Sequence, residues 1–145
     1  MSLKLNQRQI EKIVQLIEWF INEIKFCQSS VQAMVENCCN QKRFKSLEFL
    51  TQVKENMKKI PFPVAWENAV NSWQCCLNSD DKNLLKSLSQ YIGAFDAQGQ
   101  IAALKHTNLR FEESFQNSKT LYEKKGKLAK SLGILTSLAI YVFLI

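Results

Sequence analysis

Hydrophobic residues recur at helical spacing along most of the chain. Between Leu5 and Lys25 they lie three or four residues apart, at Ile10, Ile13, Val14, Ile17, Phe20, Ile21 and Ile24. This spacing places them on one face and predicts an amphipathic helix. Comparable stripes follow further along, and no segment alternates with a period of two over a useful length. The pattern therefore predicts helices and no sheet.

Capping and breaking residues predict where the first helices end. Ser29 and Gln32 have the spacing of a capping box, so a short helix should follow Ser29. Asn40 is expected to cap the next helix, whose stripe runs from Phe44 to Ile60. Pro61-Phe62-Pro63 should end that helix, with Pro63 at the first position of a new one.

Similar signals divide the second half of the chain. Asn78 to Asp81 reads as a loop and a helix cap, and Gly93 as a left-handed C-cap. Asp96 starts a helix that should continue for about thirty residues. We predict an all-α bundle of about six or seven helices with long first and last helices, forming one domain over residues 1–130. The three tryptophans have core spacing, at Trp19, Trp66 and Trp73.

Composition favours this interpretation and restricts the chemistry. The 145 residues include only four glycines and two prolines, which leaves long helices uninterrupted. The formal net charge of +6 fits nucleic acid, an anionic membrane or neither. The cysteines are an odd five, four of them in adjacent pairs, which indicates a reducing compartment and small buried side chains. Adjacent cysteines lack zinc-ligand spacing, so we predict no metal site.

No motif indicates catalysis. The segment from Gly93 to Gly99 lacks the spacing and the lysine of a phosphate-binding loop. A cysteine–histidine pair would need the single histidine, His106, which is expected to face solvent. Glu112-Glu113 and Asp80-Asp81 are adjacent pairs, typical of a solvated face and a helix cap. We predict no catalytic residues, no cofactor and no enzymatic activity.

Two clusters of basic residues raise the question of nucleic-acid binding. They are Lys42, Arg43 and Lys45, followed by Lys54, Lys58 and Lys59. Glu55 interrupts the second cluster, and the nearby aromatic residues Phe44 and Phe49 belong at least in part to the apolar stripe rather than to a stacking surface. We predict no nucleic-acid partner, although the pattern alone leaves a helix-turn-helix open.

The last fifteen residues, 131–145, carry no charge and are mostly apolar. Lysines precede them, at Lys124, Lys125, Lys127 and Lys130. A helix of fifteen residues spans roughly 22 Å, short of the ~30 Å hydrocarbon core, so it could span the bilayer only tightly or stop in one leaflet. We predict a membrane anchor at residues 131–145, with these four lysines at the cytoplasmic interface. The alternative is a soluble all-α binding module whose core includes this segment.

Several diffuse features also match a known family. They are the leucine-rich helix closing on Gly93, then Asp96, Gln98 and Gln100, the long polar helix, and Lys130-Ser131-Leu132-Gly133 before the apolar end. Ala65-Trp66-Glu67, Arg8-Gln9-Ile10 and Glu23-Ile24 fit the same pattern. Nearly the whole chain resembles the stage III sporulation protein AB family. Members begin with a hydrophobic membrane segment before the region matching Arg8, so the resemblance implies a chain shortened behind Met1-Ser2-Leu3. Where the family tends to have a glycine before the helix start, this chain has Cys27-Gln28.

The resemblance implies a fold and a role. The fold would be similar to the cytoplasmic helical domain of the type II secretion inner-membrane platform protein. The role would be a non-enzymatic scaffold in the complex that links mother cell and forespore during endospore formation. Its partners would be the other stage III sporulation proteins, including a secretion-type ATPase, and the mother-cell membrane facing the forespore. Homo-oligomerisation stays open.

Overall fold

The computed structural model describes residues 3–94 and 96–127, with side chains from residue 4 to residue 117 apart from residue 95. These residues form six α-helices and no strand. The helices are α1 (Leu3–Asn22), α2 (Val31–Cys39), α3 (Phe49–Asn56), α4 (Phe62–Ser72), α5 (Ser79–Ser87) and α6 (Ala97–Lys127). Short helical turns cover Glu23–Cys27, Lys42–Phe44 and Leu88–Gln90. The predicted all-α fold with long first and last helices is therefore confirmed.

The two long helices, α1 and α6, pack against each other in antiparallel directions. Ile24, just past the end of α1, lines one surface cavity together with Ala97 and Gln100 at the start of α6. Val14, in the middle of α1, lines another together with Phe115, further along α6. The shorter helices α2 to α5 complete one continuous hydrophobic core with this pair. The α1–α6 pair is therefore the frame on which the other elements are assembled.

Aromatic side chains fill the centre of the core. Trp66 on α4 is fully buried, and its ring lies 5.2 Å from that of Phe49 and 6.3 Å from that of Phe20. Its indole Nε1 donates a hydrogen bond to the Leu85 carbonyl at 2.8 Å. Trp73 is also buried, whereas Trp19 is partly buried against the core. The core prediction holds fully for the first two tryptophans and in part for Trp19.

The start of α2 differs from the prediction by one residue. Ser30, not Ser29, is the N-cap, and its hydroxyl accepts a hydrogen bond from the Ala33 N–H at 3.1 Å. The Ser29 hydroxyl instead donates to the Glu23 carboxylate at 3.3 Å. Before these serines, Gln28 ends the π-helical turn with φ 50°, a left-handed conformation more usual for glycine. This early turn of the chain is what shifts the cap from Ser29 to Ser30.

The helix predicted between Asn40 and Ile60 is divided into two parts. Asn40 is the C-cap of α2 and not the N-cap of the next helix, and a short 3-10 turn follows at Lys42–Phe44. Only at Phe49 does α3 begin. Phe44 and Leu47 are both buried on either side of this break, so the bend lets both side chains reach the core. Pro63 lies at the second helical position of α4, because Phe62 occupies the first.

The turn before α6 agrees with the prediction. Gly93 has φ 80°, and its N–H donates to the Gln100 side-chain oxygen at 3.0 Å. The Asp96 carboxylate accepts a hydrogen bond from the Gly99 N–H at 2.8 Å and so caps the long helix. Asn78 caps α5 in the same way, through the Asp81 N–H. These caps could be predicted from the sequence because short polar side chains at helix N-termini accept hydrogen bonds from backbone N–H groups that have no partner within the helix.

Candidate docking surface

A surface groove lies between α1 and α6. Its volume is about 840 Å³. We call it the acidic groove, and it is lined by Glu11, Val14, Gln15, Leu109, Glu112, Glu113, Phe115, Gln116 and Asn117. Val14 and Phe115 are partly buried and form an apolar floor over the core. Leu109 is 58% exposed, although its neighbours on α6, Asn108 and Phe111, are buried.

Among the described residues, the charged side chains that line this groove are of one sign. Three of these nine residues are glutamates, and none of the nine is a lysine or an arginine. Glu112 and Glu113 were predicted as a solvated face, and both are exposed. The chain as a whole has a formal net charge of +6, so the groove is a local reversal of the overall sign. An apolar floor with an acidic rim can bind an apolar surface bordered by cations.

Helical spacing predicts that Asn108, Glu112, Lys119 and Glu123 share an exposed polar face of α6. Asn108 departs from this prediction, because it is buried and its Oδ1 has no hydrogen-bond partner among the described residues. The side chains of Lys119 and Glu123 lie outside the described residues. Helical spacing alone could not separate Asn108 from Glu112, since residues four apart share a broad face.

Asp81 was predicted as part of an exposed cap but is buried. It is 5% exposed and accepts a hydrogen bond from the Ser114 hydroxyl at 2.8 Å, which links α5 to α6. Burial raises the pKa of the Asp81 carboxyl, the Ser114 bond opposes that rise, and the charge of Asp80 adds to it. The group is a structural link between two helices and lies apart from the acidic groove.

This carboxyl should make stability depend on pH. Because the folded pKa is raised above 3.8, the folded state holds the proton more tightly, and stability falls as pH rises from about that value through the folded pKa. We expect Asp81→Asn to remove this loss, so that the variant is at least as stable as the parent near neutral pH. Urea unfolding across a pH series measures it. Asp80→Asn, at an exposed neighbour, should retain the pH dependence, and a variant less stable than the parent at every pH would contradict the assignment.

The adjacent thiols of Cys38 and Cys39 differ in acidity. Cys38 is buried, and its thiol donates to the Val35 carbonyl. The hydrogen bond with Cys39 and burial raise the pKa of Cys38, while the same bond and the Lys54 ammonium lower that of Cys39 to about 7. Within the described ranges, no group of three His, Cys, Asp or Glu residues could hold a metal ion. His106 lies on the exposed face of α6, as expected.

The first basic cluster lies in the break between α2 and α3, and the second lies at the end of α3. Lys42, Arg43 and Lys45 are exposed, and Arg43 stacks over the Phe44 ring at 4.7 Å. Both nearby aromatics, Phe44 and Phe49, are buried. They are therefore not available to stack on bases, which is how single strands are commonly bound.

The predicted membrane-interface residues lie at the limit of the structure. Lys124, Lys125 and Lys127 belong to the last turns of α6, but their side chains are outside the described residues. Lys130 and the whole segment 131–145 are also outside them. No helix among the described residues is both long and apolar enough to cross a bilayer. The interface assignment and the anchor therefore stay predictions.

The features that matched a family pattern have structural roles. Asn6 and Gln9 on α1 hold both backbone groups of Cys76: the Asn6 amide donates to its carbonyl at 2.9 Å, and the Gln9 oxygen accepts from its N–H at 2.7 Å. Trp66 joins α4 to α5. Gln100 and Asp96 fix the turn before α6. These residues maintain the fold and contribute no reactive group.

Together these features define an all-helical domain on one core, with an acidic groove along its longest helix pair. The family model for stage III sporulation protein AB matches residues 1–145, the whole chain, and the chain belongs to that family. No curated protein matches it. No solved structure matches either. The family assignment made from diffuse features of the sequence is confirmed, and a sporulation role follows from it.

The acidic groove itself was missed by sequence reasoning. The adjacent glutamates Glu112 and Glu113 were noted, but only as a solvated face. The signal that could have found the groove is Leu109, a large apolar residue three positions before Glu112 on a helix whose core positions are Leu104 and Phe111. Recognising it required the position of Glu11 on α1, which pattern alone does not give.

Proposed function

We propose that this chain is a non-enzymatic, membrane-anchored scaffold of the complex that links mother cell and forespore during endospore formation. It docks a secretion-type ATPase and other members of that complex. The observation that carries the proposal is the family match over all 145 residues. The helical domain lies on the cytoplasmic side of the mother-cell membrane, and the anchor is residues 131–145.

The sequence around the anchor supports the membrane part of the proposal. An uncharged apolar segment follows a cluster of lysines that ends at Lys130. Lysines collect on the cytoplasmic side of membrane segments and are attracted by anionic lipid headgroups. The odd number of cysteines, four of them in adjacent pairs, agrees with a reducing compartment for the domain.

The scaffold part is supported by what the helical domain offers. Helices α1 to α5 and the first half of α6 share one continuous hydrophobic core. A domain that is stable in this way can hold a surface for partners in a fixed position relative to the membrane. Likeness to the cytoplasmic domain of the type II secretion platform protein would place an ATPase among those partners.

The experiment is partitioning into liposomes of the chain with and without residues 131–145. We expect the full chain to bind anionic liposomes and the truncated chain to stay soluble and folded by circular dichroism. Replacing Lys124, Lys125, Lys127 and Lys130 with glutamine keeps the apolar segment and should weaken binding to anionic liposomes by tenfold or more, because each lysine near the surface contributes about 1 kcal/mol. Binding to zwitterionic liposomes should change little.

Two results would overturn the proposal. Truncation could unfold the chain while neither form binds lipid, in which case the C-terminal segment belongs to the core and the chain is a soluble all-α binding module. The full-length protein could also be found freely soluble in fractions of sporulating cells. Either result would leave the family assignment in place and remove the membrane-anchored scaffold.

A further inference from the structure

We infer that the acidic groove is the docking site for a basic amphipathic helix of a partner protein. The inference rests on the proposed scaffold role and specifies the surface and the chemistry of one partner. Its basis is the combination of an apolar floor at Val14 and Phe115, the exposed Leu109, and three glutamates on the rim.

The shape of the groove fits a helix. It runs between two antiparallel helices, and a third helix laid along such a pair completes a bundle by placing its side chains between theirs. A helix bound in this way presents apolar anchors at positions i, i+3, i+4 and i+7. Leu109 would then be covered by the anchors, which explains an exposed leucine on the helix that buries Leu104 and Phe111.

The negative charge of the groove determines which kind of helix it can bind. Glu11 lies on the α1 side, and Glu112 and Glu113 lie on the α6 side, so a bound helix has carboxylates along both borders. Among the lining residues that the structure describes, no lysine or arginine balances them. A partner with lysines or arginines beside its apolar stripe meets complementary charge, and an acidic one meets repulsion. Exposed charges of this kind contribute mainly to encounter rate and selectivity, so binding should weaken as salt increases.

A second copy of this chain fits the groove less well. A symmetric pairing through the same surface would bring Glu112 and Glu113 of one copy against the glutamates of the other, because a twofold interface repeats the same patch on both sides. Like charges placed in opposition are unfavourable. A heterologous contact between copies is instead an outcome that the experiment below detects.

The experiment measures binding of three labelled peptides by fluorescence anisotropy. Each has about fifteen residues, roughly four helical turns. The first places leucines at i, i+3, i+4 and i+7 with lysines elsewhere, the second replaces the lysines with glutamates, and the third scrambles the first. We expect the lysine peptide to bind at least about tenfold more tightly than the other two at low salt, with the difference decreasing as salt is added.

Variants locate the binding on the protein. Glu112→Lys with Glu113→Lys should weaken the lysine peptide by at least about tenfold and should improve the glutamate peptide. Leu109→Ser should weaken the binding of both the lysine peptide and the glutamate peptide. Glu36→Lys with Glu48→Lys is the matched control: both residues are exposed, lie on other elements and give the same change in charge. Val64→Ser is the matched apolar control, since Val64 is an exposed apolar residue on α4.

Three results of these measurements would contradict the docking inference. Equal effects of the groove and control variants, or equal binding of the lysine and scrambled peptides, would overturn it. A dimer in size-exclusion chromatography that Glu112→Lys with Glu113→Lys dissociates would also overturn it, because the occupant would then be a second copy.

Sporulation assays separate this inference from the scaffold role. In one result, Glu112→Lys with Glu113→Lys loses peptide binding but sporulates like the parent, while truncation at residue 131 abolishes sporulation. The docking inference would then be wrong, and the proposed scaffold role would stand. If the truncated protein sporulates normally, the anchored scaffold fails whatever the peptides show. Loss of sporulation in the groove variant, with normal protein level and membrane fraction, supports both.

Discussion

Replacing Trp66 with alanine is expected to lower the free energy of unfolding by about 4–6 kcal/mol. Truncating a fully buried tryptophan removes apolar contacts and leaves a cavity, typically a loss of about 3–5 kcal/mol, and the lost hydrogen bond adds about 1 kcal/mol. Trp66 is fully buried, donates to the Leu85 carbonyl, and contacts aromatic rings from three helices. Since whole domains have only about 5–15 kcal/mol of stability, the variant should be close to unfolding.

Urea unfolding followed by circular dichroism measures this loss, because fluorescence would change with the tryptophan itself. Trp19→Ala is the matched control: Trp19 is partly buried and meets Phe20 and Phe44 at ring distances of 5.6 Å and 6.4 Å. It should cost about half as much, in proportion to the smaller area removed from water. A Trp66→Ala variant that loses less than Trp19→Ala would contradict the central role of Trp66 in the core.

The sequence was most informative where one physical signal dominated. Helix α1 carries its apolar residues at three- and four-residue spacing, and its core positions are buried as that spacing indicates. Asn78 caps α5 as predicted, and Gly93 has the predicted left-handed conformation. The helix end predicted at Gly93 is wrong, because α5 ends at Ser87 and Gly93 lies in the turn after Leu88–Gln90. The apolar stripe from Phe44 to Ile60 was less informative, because a stripe interrupted by a bend satisfies the same spacing as a continuous helix.

Features that depend on contacts between distant segments could not be predicted. Asp81 reads as a cap residue, and only Ser114, more than thirty positions later, explains its burial. Gln9 reads as a polar residue of α1 until the backbone of Cys76 is seen against it. The acidic groove needs Glu11 and Glu112 on two helices at once. Periodicity assigns a face to each helix, but it does not say which faces meet.

The residues of the acidic groove and the residues that matched the family pattern have different roles in the molecule. Residues that matched the family pattern, such as Trp66 and Gln100, maintain helix contacts and the turn before α6. Leu109, Glu112 and Glu113 of the groove are exposed, so their substitution should leave stability nearly unchanged. This difference is what allows a docking defect to be distinguished from a folding defect in the experiments above.

Gly93→Ala is expected to lower the free energy of unfolding by about 2–5 kcal/mol, the second largest effect on stability. A φ of 80° costs a residue with a Cβ about 1–2 kcal/mol. The new Cβ would also lie 2.8 Å from Cγ2 of Val31, so that α2 or the turn before α6 has to move. Overpacking of this kind costs about 1–3 kcal/mol. Thermal and urea unfolding measure the sum.

A double-mutant cycle with Val31→Ala separates the two causes. Val31→Ala removes the atom that the new Cβ would meet, so the double variant should recover about 1–2 kcal/mol relative to the sum of the single changes. The backbone strain at residue 93 should remain. Recovery of the whole loss would show that only the clash matters, and no recovery would show that only the backbone conformation does.

Gln28 allows the same backbone argument to be tested in the opposite direction, by introducing a glycine at a positive φ rather than removing one. It is exposed and has φ 50°, and its N–H donates to the Glu23 carbonyl through the backbone alone. Gln28→Gly should therefore keep that bond, relieve the strain and raise the free energy of unfolding by about 1 kcal/mol. A fall in stability would mean that the Gln28 side chain contributes contacts outweighing its strained backbone, and the cost assigned to φ at Gly93 would have to be reduced accordingly.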